Sequence, residues 1–477
     1  MNASEINEFF NTFYKLNHER NSYNPYLRIS KATKSKMNFY EISRMDLLIY
    51  RRKYLKLILP IVLILRFAFN LIYNLIRFII YRKPKNVLNK VDVLLLSHLT
   101  PRNLISPQDS FYGSIPQDLM NSGKKIAIIY TNQIRNLSKD SIKRIESENT
   151  LVIPKYLGFQ EYIRFFKIAI KSIRYTQDEM KSYQTLESKD QTLIVKACFS
   201  FLKIDSMMNF HLIEKTKEAI NDCRPNYVFV TLEGHIYENS IYLNCKKNPD
   251  VNRILMFQNS PIGPSQFGLF DFVKQNEEKL TYLVQGNAYK NLILDLNKSS
   301  HVLVIGRKGE KLDLNPKSQF ASSSKLILVP DGDKSNVFHF LNMIEFFHNQ
   351  ISTNIEISLH PDTHIGLINS IKLYRLKQKG FIKRSTSNLS TENLTEYGAL
   401  AYTSSNLAIK SLLMEIEVIY INDSKYNLDP LWLINLNTTS VINKNYIKYN
   451  SRVFAKREYQ NYYAEFNNEP LLKLLTP

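Results

Sequence analysis

The sequence predicts an α/β protein of two doubly wound, Rossmann-like domains facing each other across a cleft, behind an N-terminal helical extension suited to a membrane surface. Three observations lead there. Short apolar runs at 91–97, 227–231, 253–258 and 326–329 alternate with stretches of helical period, as in parallel strands joined by crossovers and covered on both faces. A polar, turn-rich stretch at 307–325 divides that pattern in two. Before it lies a segment, 54–81, whose apolar residues and amides segregate to opposite helical faces.

Composition is consistent with this. A chain of 477 residues that is 44% hydrophobic has room for about two to three domains with cores of their own. Cys198, Cys223 and Cys245 have no metal-ligand spacing and leave an odd thiol, which predicts buried thiols in a reducing compartment. Glycines number only 13, and neither G-x-G-x-x-G nor a P-loop occurs, which excludes the dinucleotide and Walker signatures. The net charge of +20 calls for an anionic partner: nucleic acid, anionic lipid or a charged sugar nucleotide. No zinc-finger spacing or aromatic RNA-binding signature is present, so nucleic acid is not expected.

Taken in order, residues 1–90 form the extension, with helical pieces at 5–16 and 40–50. In 54–81 the polar residues Arg66, Asn70, Asn74 and Arg77 recur every three or four positions. The longest run free of charged and amide residues, 57–65, is well short of the roughly 20 apolar residues that cross a bilayer. Arg51, Arg52, Lys53, Lys56, Arg82, Lys83 and Lys85 flank it, and no acid occurs from 47 to 91. That describes a helix lying in the plane of an anionic membrane surface, with packing on the protein's own core as the alternative.

The first domain is expected over 91–306. Its strands are 91–97, 125–130, 227–231, 253–258, 281–285 and 302–305, with a polar loop at 98–110, a helix near 115–121 and a long helical stretch from 159 to 219. After the linker at 307–325, the second domain runs from 326 to 445, with strand 326–329, helix 337–349, strand 355–359, helix 365–379 and a strand–turn–helix–strand unit over 399–421. The tail, 446–477, reads as helix that crosses back to the first domain.

The chemistry is expected at strand ends, because ligands of open α/β sheets bind outside the carboxyl ends of the strands. His360 stops a strand and precedes Pro361, which cannot continue a ladder. An imidazole there can donate to a phosphate leaving group. Ser404 and Ser405 open a helix, where hydroxyls cap free N–H groups and can hold phosphate. Asp331 and Gly332 follow the domain's first strand and suit a ribose or base contact, or a plain turn. In the first domain Glu233 follows an apolar strand and precedes Gly234, so its carboxylate stands at the sheet edge as a general base or as a helix N-terminal acid. His235 is the alternative base, and Glu238 reads as a helix-face residue. His98, Asp109, Gln258, Asn259 and Ser260 lie in loops suited to binding an acceptor. No D-x-D follows an apolar strand in this domain, so no metal is expected.

The order E-G-x-x-x-E, Q-N-S, H-P and S-S before an apolar helix resembles the GT-B glycosyltransferases of bacterial surface polysaccharide synthesis. The likeness spans about 91–436 and is greatest to the sialyltransferase-like and Kdo-transferase-like enzymes that use CMP-activated ulosonic acids. It implies Glu233 as catalytic base, His360 as the group that binds the CMP phosphate and assists its departure, and Ser404 and Ser405 as holders of that phosphate. It further implies a glycan or lipid-linked acceptor, no cofactor or metal, and a peripheral place on the cytoplasmic face of the inner membrane. Two positions depart from the pattern. Leu232 stands where the sialyltransferase motif has a second acid, and Lys410 stands where many relatives carry a ribose-binding glutamate. A CDP-glycerol-type polyol-phosphate transferase and a non-catalytic assembly protein of the same fold remain alternative readings.

Overall fold

The computed structural model describes residues 59–81, 88–132 (without 105–107), 141–182 (without 143–144, 147–148 and 154–155), 204–307 (without 264–266 and 276–277), 325–433 (without 331–333, 351–353, 360–364, 387–390, 414–415 and 422–428) and 459–475 (without 460). The helical pieces expected at 5–16 and 40–50, Cys198, the linker over 308–324 and the tail over 446–458 lie outside these residues, as do Asp331, Gly332, His360 and Pro361.

Two all-parallel sheets carry the fold. The first holds seven strands in the order β3-β2-β1-β4-β5-β6-β7. These are β1 (Val93–Leu99), β2 (Ile126–Asn132), β3 (Thr150–Ile153), β4 (Tyr227–Thr231), β5 (Arg253–Phe257), β6 (Leu280–Val284) and β7 (Val302–Val304). The second holds five, in the order β10-β9-β8-β11-β12: β8 (Lys325–Val329), β9 (Asn354–Ser358), β10 (Arg384–Thr386), β11 (Ala399–Tyr402) and β12 (Glu417–Tyr420). Each sheet starts in its middle, builds to one side and then reverses, the 3-2-1-4-5 order of doubly wound nucleotide-binding folds. This is the two-domain plan implied by the GT-B resemblance.

The connecting helices are α2 (Ile115–Asn121), α3 (Phe159–Ser182), α4 (Ile204–Cys223), α5 (Ile236–Lys247), α6 (Phe267–Gln275) and α7 (Asn287–Leu296) in the first unit. In the second they are α8 (Lys334–Gln350), α9 (Gly366–Gln378), α10 (Thr391–Leu394) and α11 (Leu407–Leu413). Every residue of β1 and of β6 is buried, which is why the strands read as continuous apolar runs instead of alternating ones. Cys223 and Cys245 are buried free thiols, as expected.

The strands depart from the sequence expectation at β1 and at two sheet edges. β1 runs on to Leu99, so His98 is part of a strand and not of the 98–110 loop. Its pairing with β2 continues through His98 opposite Thr131 and Leu99 opposite Asn132. The edge strands β3 and β10, four and three residues long, went unread because so short a run carries no period.

The tail does return to the first sheet. Helix α12 (Glu469–Leu475) buries Leu471 and Leu475 among Val93, Leu95, Phe229 and Leu255. Before it, the Ala464 N–H donates to the Gln285 carbonyl at 2.8 Å, and the Arg307 N–H donates to the Ala464 carbonyl at 3.1 Å. The approach is close enough to require glycine: Gly306 has φ +72°, and a Cβ there would lie 2.1 Å from the Glu465 carbonyl oxygen.

The N-terminal helix α1 (Leu59–Tyr81) has Pro60 in its first turn, where a missing N–H leaves no gap. Its amides face inward. Asn70 and Asn74 are buried, and Asn74 donates to the Leu157 carbonyl at 2.8 Å and accepts the Leu157 N–H at 2.7 Å. Phe67, Leu71 and Tyr73 pack beside them on Tyr162, Phe165 and Phe210. The opposite face carries Leu65, Phe69, Ile72, Leu75, Ile76 and Ile79, which are 47–73% exposed. Among the described residues no helix is long and apolar enough to cross a membrane.

Candidate active site at the first sheet's reversal

The strand order of the first sheet reverses between β1 and β4. Their pairing runs from Val93–Tyr227 only to Leu95–Phe229, and beyond it the two chains separate. A crevice opens at that point in any doubly wound sheet. His98 enters it from β1; Glu233 and His235 enter it from the turn after β4.

That turn is built by Gly234 and Glu238. Gly234 sits at φ +79°, and a Cβ on it would meet the Leu269 side chain at 3.3 Å. Glu238, in the first turn of α5, is buried and reaches back over the turn. Its carboxylate accepts the N–H groups of Glu233 (3.0 Å), Gly234 (2.9 Å) and His235 (3.0 Å), and the Thr231 hydroxyl at 2.8 Å. This corrects the reading of Glu238 as a helix-face residue. The spacing His235-x-x-Glu238, with a glutamate three positions into a helix, is the signal that could have found it.

With its backbone held, Glu233 turns its side chain toward His235 and Ser260. Its Oε2 lies 3.0 Å from His235 Nε2, and its Oε1 accepts the Ser260 hydroxyl at 2.8 Å. The Glu233 side chain is 15% exposed and the His235 side chain 37%, so the imidazole is the outer member of the pair. His98 stands behind them. Its Nδ1 meets the Thr131 hydroxyl, and its Nε2 lies 3.1 Å from the Tyr237 hydroxyl, which in turn is 3.1 Å from Thr231 Oγ1. A hydrogen-bonded chain therefore runs from Glu238 through Thr231 and Tyr237 to His98 and Thr131. The His235 and Tyr237 rings stack at 5.2 Å.

Electrostatics divide the labour among these groups. Burial pushes the Glu233 carboxyl up, but the His235 hydrogen bond and charge, the Ser260 hydroxyl and His98 outweigh it, and the net shift is downward. Glu233 is thus an anion at neutral pH. Burial, with the charge of His235, lowers His98 to about 4 against the pull of Glu233, so His98 is a neutral imidazole. Burial raises Glu238 to about 7, aided by the Glu233 charge, while His235 and the hydrogen bonds from Glu233 N and Thr231 oppose the rise.

Ligand atoms of His98, Glu233 and His235 all lie within 4.8 Å of one another, a set that suits a divalent ion chemically. Both His98 nitrogens and both Glu233 oxygens face hydrogen-bonding partners, so a metal would have to displace several of these contacts.

Two residues expected to bind an acceptor are structural instead. Asp109 is buried, and its carboxylate accepts the Ser97 hydroxyl and the N–H groups of Phe111 (2.8 Å) and Tyr112 (2.7 Å), fixing the loop after β1. Gln258 is fully buried: its Nε2 donates to the Ser260 carbonyl and its Oε1 accepts the Gln285 N–H. A short amide after an apolar strand reads the same whether it faces a ligand or ties two loops together. Asn259 is half-buried, with its carbonyl accepting from Gln285 Nε2.

The second sheet reverses between β8 and β11, which pair through Val329–Tyr402. Thr403, Ser404 and Ser405 follow β11 at this point. Ser405 Oγ accepts the Leu407 N–H at 3.2 Å, which is the expected cap, and buried Thr403 receives the Asn336 amide at 3.2 Å. Lys410 is half-buried on α11. The Tyr402 hydroxyl donates to Asp429, which burial raises to about 6, and Trp432 Nε1 donates to the Ile262 carbonyl at 2.8 Å, tying this unit to the loop after β5.

No protein-family model and no curated protein matches the chain. Solved structures do. The chain is similar to the UDP-GlcNAc 2-epimerase of Methanocaldococcus jannaschii (10% identity, 77% of this chain and 97% of that one, TM-score 0.41). It is also similar to a glycosyltransferase of Rickettsia africae (13%, 81% and 97%, 0.37) and to a Streptomyces nogalater glycosyltransferase (10%, 81% and 93%, 0.36). None of these likenesses bears on the chemistry, which is taken from the residues themselves.

Proposed function

We propose that the protein is a membrane-associated glycosyltransferase that moves a sugar from a nucleotide donor, CMP-linked, onto a glycan or lipid-linked acceptor of bacterial surface polysaccharide. The observation that carries this is the pair of reversal points. One polypeptide holds two doubly wound sheets, and each presents polar side chains at the crevice where ligands of such sheets bind. Two crevices suit two substrates: an acceptor beside Glu233 and His235, and a nucleotide beside Ser404 and Ser405.

The chemistry asked of the first crevice is removal of one proton. As the acceptor oxygen attacks the anomeric carbon, its proton passes to the Glu233–His235 pair, and the bond from that carbon to the CMP phosphate breaks. The outer imidazole meets the hydroxyl, and the inner carboxylate stabilises the charge that forms, as in other carboxylate–histidine pairs. At the second crevice, Ser404 and Ser405 stabilise the departing phosphate, and the H-P motif assigns His360 the same task, with no step routed through a metal. The donor assignment rests on the H-P and S-S motifs and on Lys410, a cation where a ribose-binding acid would favour other nucleotides. Peripheral attachment to the cytoplasmic leaflet rests on α1, whose amides are held inward while its apolar face is exposed, and on the basic flanks of that segment.

A thermal-shift panel of CMP, CDP, UMP, UDP and GDP tests the reading. CMP at a hundred times its dissociation constant adds about 2.7 kcal/mol, a shift of several degrees or less for a chain of this size, and His360→Ala removes it. A preference for CDP with a phosphate-bearing product points to the polyol-phosphate transferase. No stabilisation by any nucleotide overturns catalysis in favour of an assembly role.

A further inference from the structure

Outside α1, the described residues place a second apolar surface on the protein. Among the described residues between 325 and 433, the exposed large hydrophobic side chains are Phe338, Leu367, Ile368, Ile371 and Tyr374. The last four are 45–77% exposed and sit on α9 at i, i+1, i+4 and i+7, one face of a helix. Asn369, Leu373 and Leu376 form the opposite, buried face. Phe338 joins the patch from α8: Lys372 Nζ lies 4.9 Å from its ring centroid and also reaches Asn342 on α8. A helix that buries one face in its own domain has no internal reason to carry Leu, Ile, Ile and Tyr on the other.

Charge identifies the occupant. From 365 to 384 the chain carries Lys372, Arg375, Lys377, Lys379, Lys383 and Arg384, and no acidic residue. Among the described residues, Glu345 of α8 forms an ion pair with Lys379 at 3.5 Å. Apolar side chains on the outer face with cations on the flanks and no anions between them suit lipid tails with anionic headgroups around them; a protein partner needs no such uniform sign. We propose that α9 is a second membrane-contacting element, by which the second unit seats on an anionic lipid surface independently of α1. The proposal does not rest on the transferase reading.

The test uses the full chain and vesicles of phosphatidylcholine with and without phosphatidylglycerol. Trp432 is the one native tryptophan and donates to the Ile262 carbonyl. Tyr374→Trp therefore adds a reporter on the exposed face of α9. Brominated anionic lipid should quench its emission beyond the wild-type level, and raised salt should weaken the effect. Leu367→Asp with Ile371→Asp should lower partitioning onto anionic vesicles about ten-fold, with α1 intact and the melting temperature unchanged. Quenching no greater than that of Trp432, or unchanged partitioning, overturns the proposal. So does a double variant that converts a dimer into a monomer while vesicle binding persists, because the patch is then an interface between two copies.

Discussion

Glu233 Oε2 stands 3.0 Å from His235 Nε2 while its other oxygen holds the Ser260 hydroxyl at 2.8 Å, so one buried carboxylate orients the more exposed imidazole beside it. Glu233→Gln keeps the shape and removes the charge. Turnover should fall about 10²–10³-fold with little change in the donor's KM and in the melting temperature. Steady-state kinetics of the variant check this. An equal loss in donor binding would place Glu233 at the nucleotide instead.

The pH profile gives an independent reading of the same carboxylate. Glu233 is held below its ordinary 4.5, so it remains ionised, and contributes its stabilisation, down through that pH. Ser260→Ala removes one hydrogen bond to the anion, which raises its pKa. The fall in stability on acidification should therefore begin at higher pH in that variant, as urea unfolding from pH 3.5 to 7 would show.

Glu238 and His98 pull stability in opposite directions. Glu238 is raised to about 7, so its contribution is fully present below about 4.5 and is lost as pH rises to about 7. His98 is lowered to about 4, so its contribution is present above about 6.5 and is lost as pH falls toward 4. Urea unfolding at pH 5, 6 and 8 should show Glu238→Gln losing the decline toward high pH and His98→Gln losing the decline toward low pH. Glu238→Gln also turns an amide N–H toward backbone donors that now meet an oxygen. It should therefore cost about 1–3 kcal/mol and lower turnover by loosening the turn that aims Glu233.

How much of this was legible in the sequence follows from how local each signal is. Buried parallel strands announce themselves as apolar runs, so the two sheets could be read, whereas the strand order that sets each reversal point has no local pattern. Glu233 could be placed because a strand end and Gly234 bracket it. Asp109 and Gln258 could not be told from ligand-binding residues, because their partners, Tyr112 and Gln285, come from turns whose course no local pattern specifies. A polar residue at the end of an apolar run reads as the start of a loop, yet the register with Thr131 on β2 holds His98 in the strand. Glu238 does carry a local signal, the capping-box spacing from His235.

The tail should behave as part of the first unit despite its position at the far end of the chain. Leu471→Ala removes a fully buried side chain from the cluster that includes Val93 and Phe229, and should cost about 2–5 kcal/mol. Hydrogen exchange in β1 and β4 should quicken in that variant. Unchanged protection there would contradict docking of α12 on the sheet.

Helix α1 gives a paired test of which face is inward. Asn74→Leu leaves both the N–H and the carbonyl of Leu157 unpaired and should destabilise the fold by about 1–3 kcal/mol for each group. Ile72→Asp with Ile76→Asp changes exposed positions and should leave melting unaltered while weakening binding to anionic vesicles. The reverse outcome would mean that the helix packs the other way round.

The most direct measurement is hydrogen–deuterium exchange with and without CMP, because it asks where the nucleotide sits. The expected result is protection around 326–330 and 403–411, at the reversal point of the second sheet, with 231–238 unchanged until an acceptor is added. Protection confined to 231–238, or none anywhere at saturating CMP, would contradict the division of the chain into a donor sheet and an acceptor sheet.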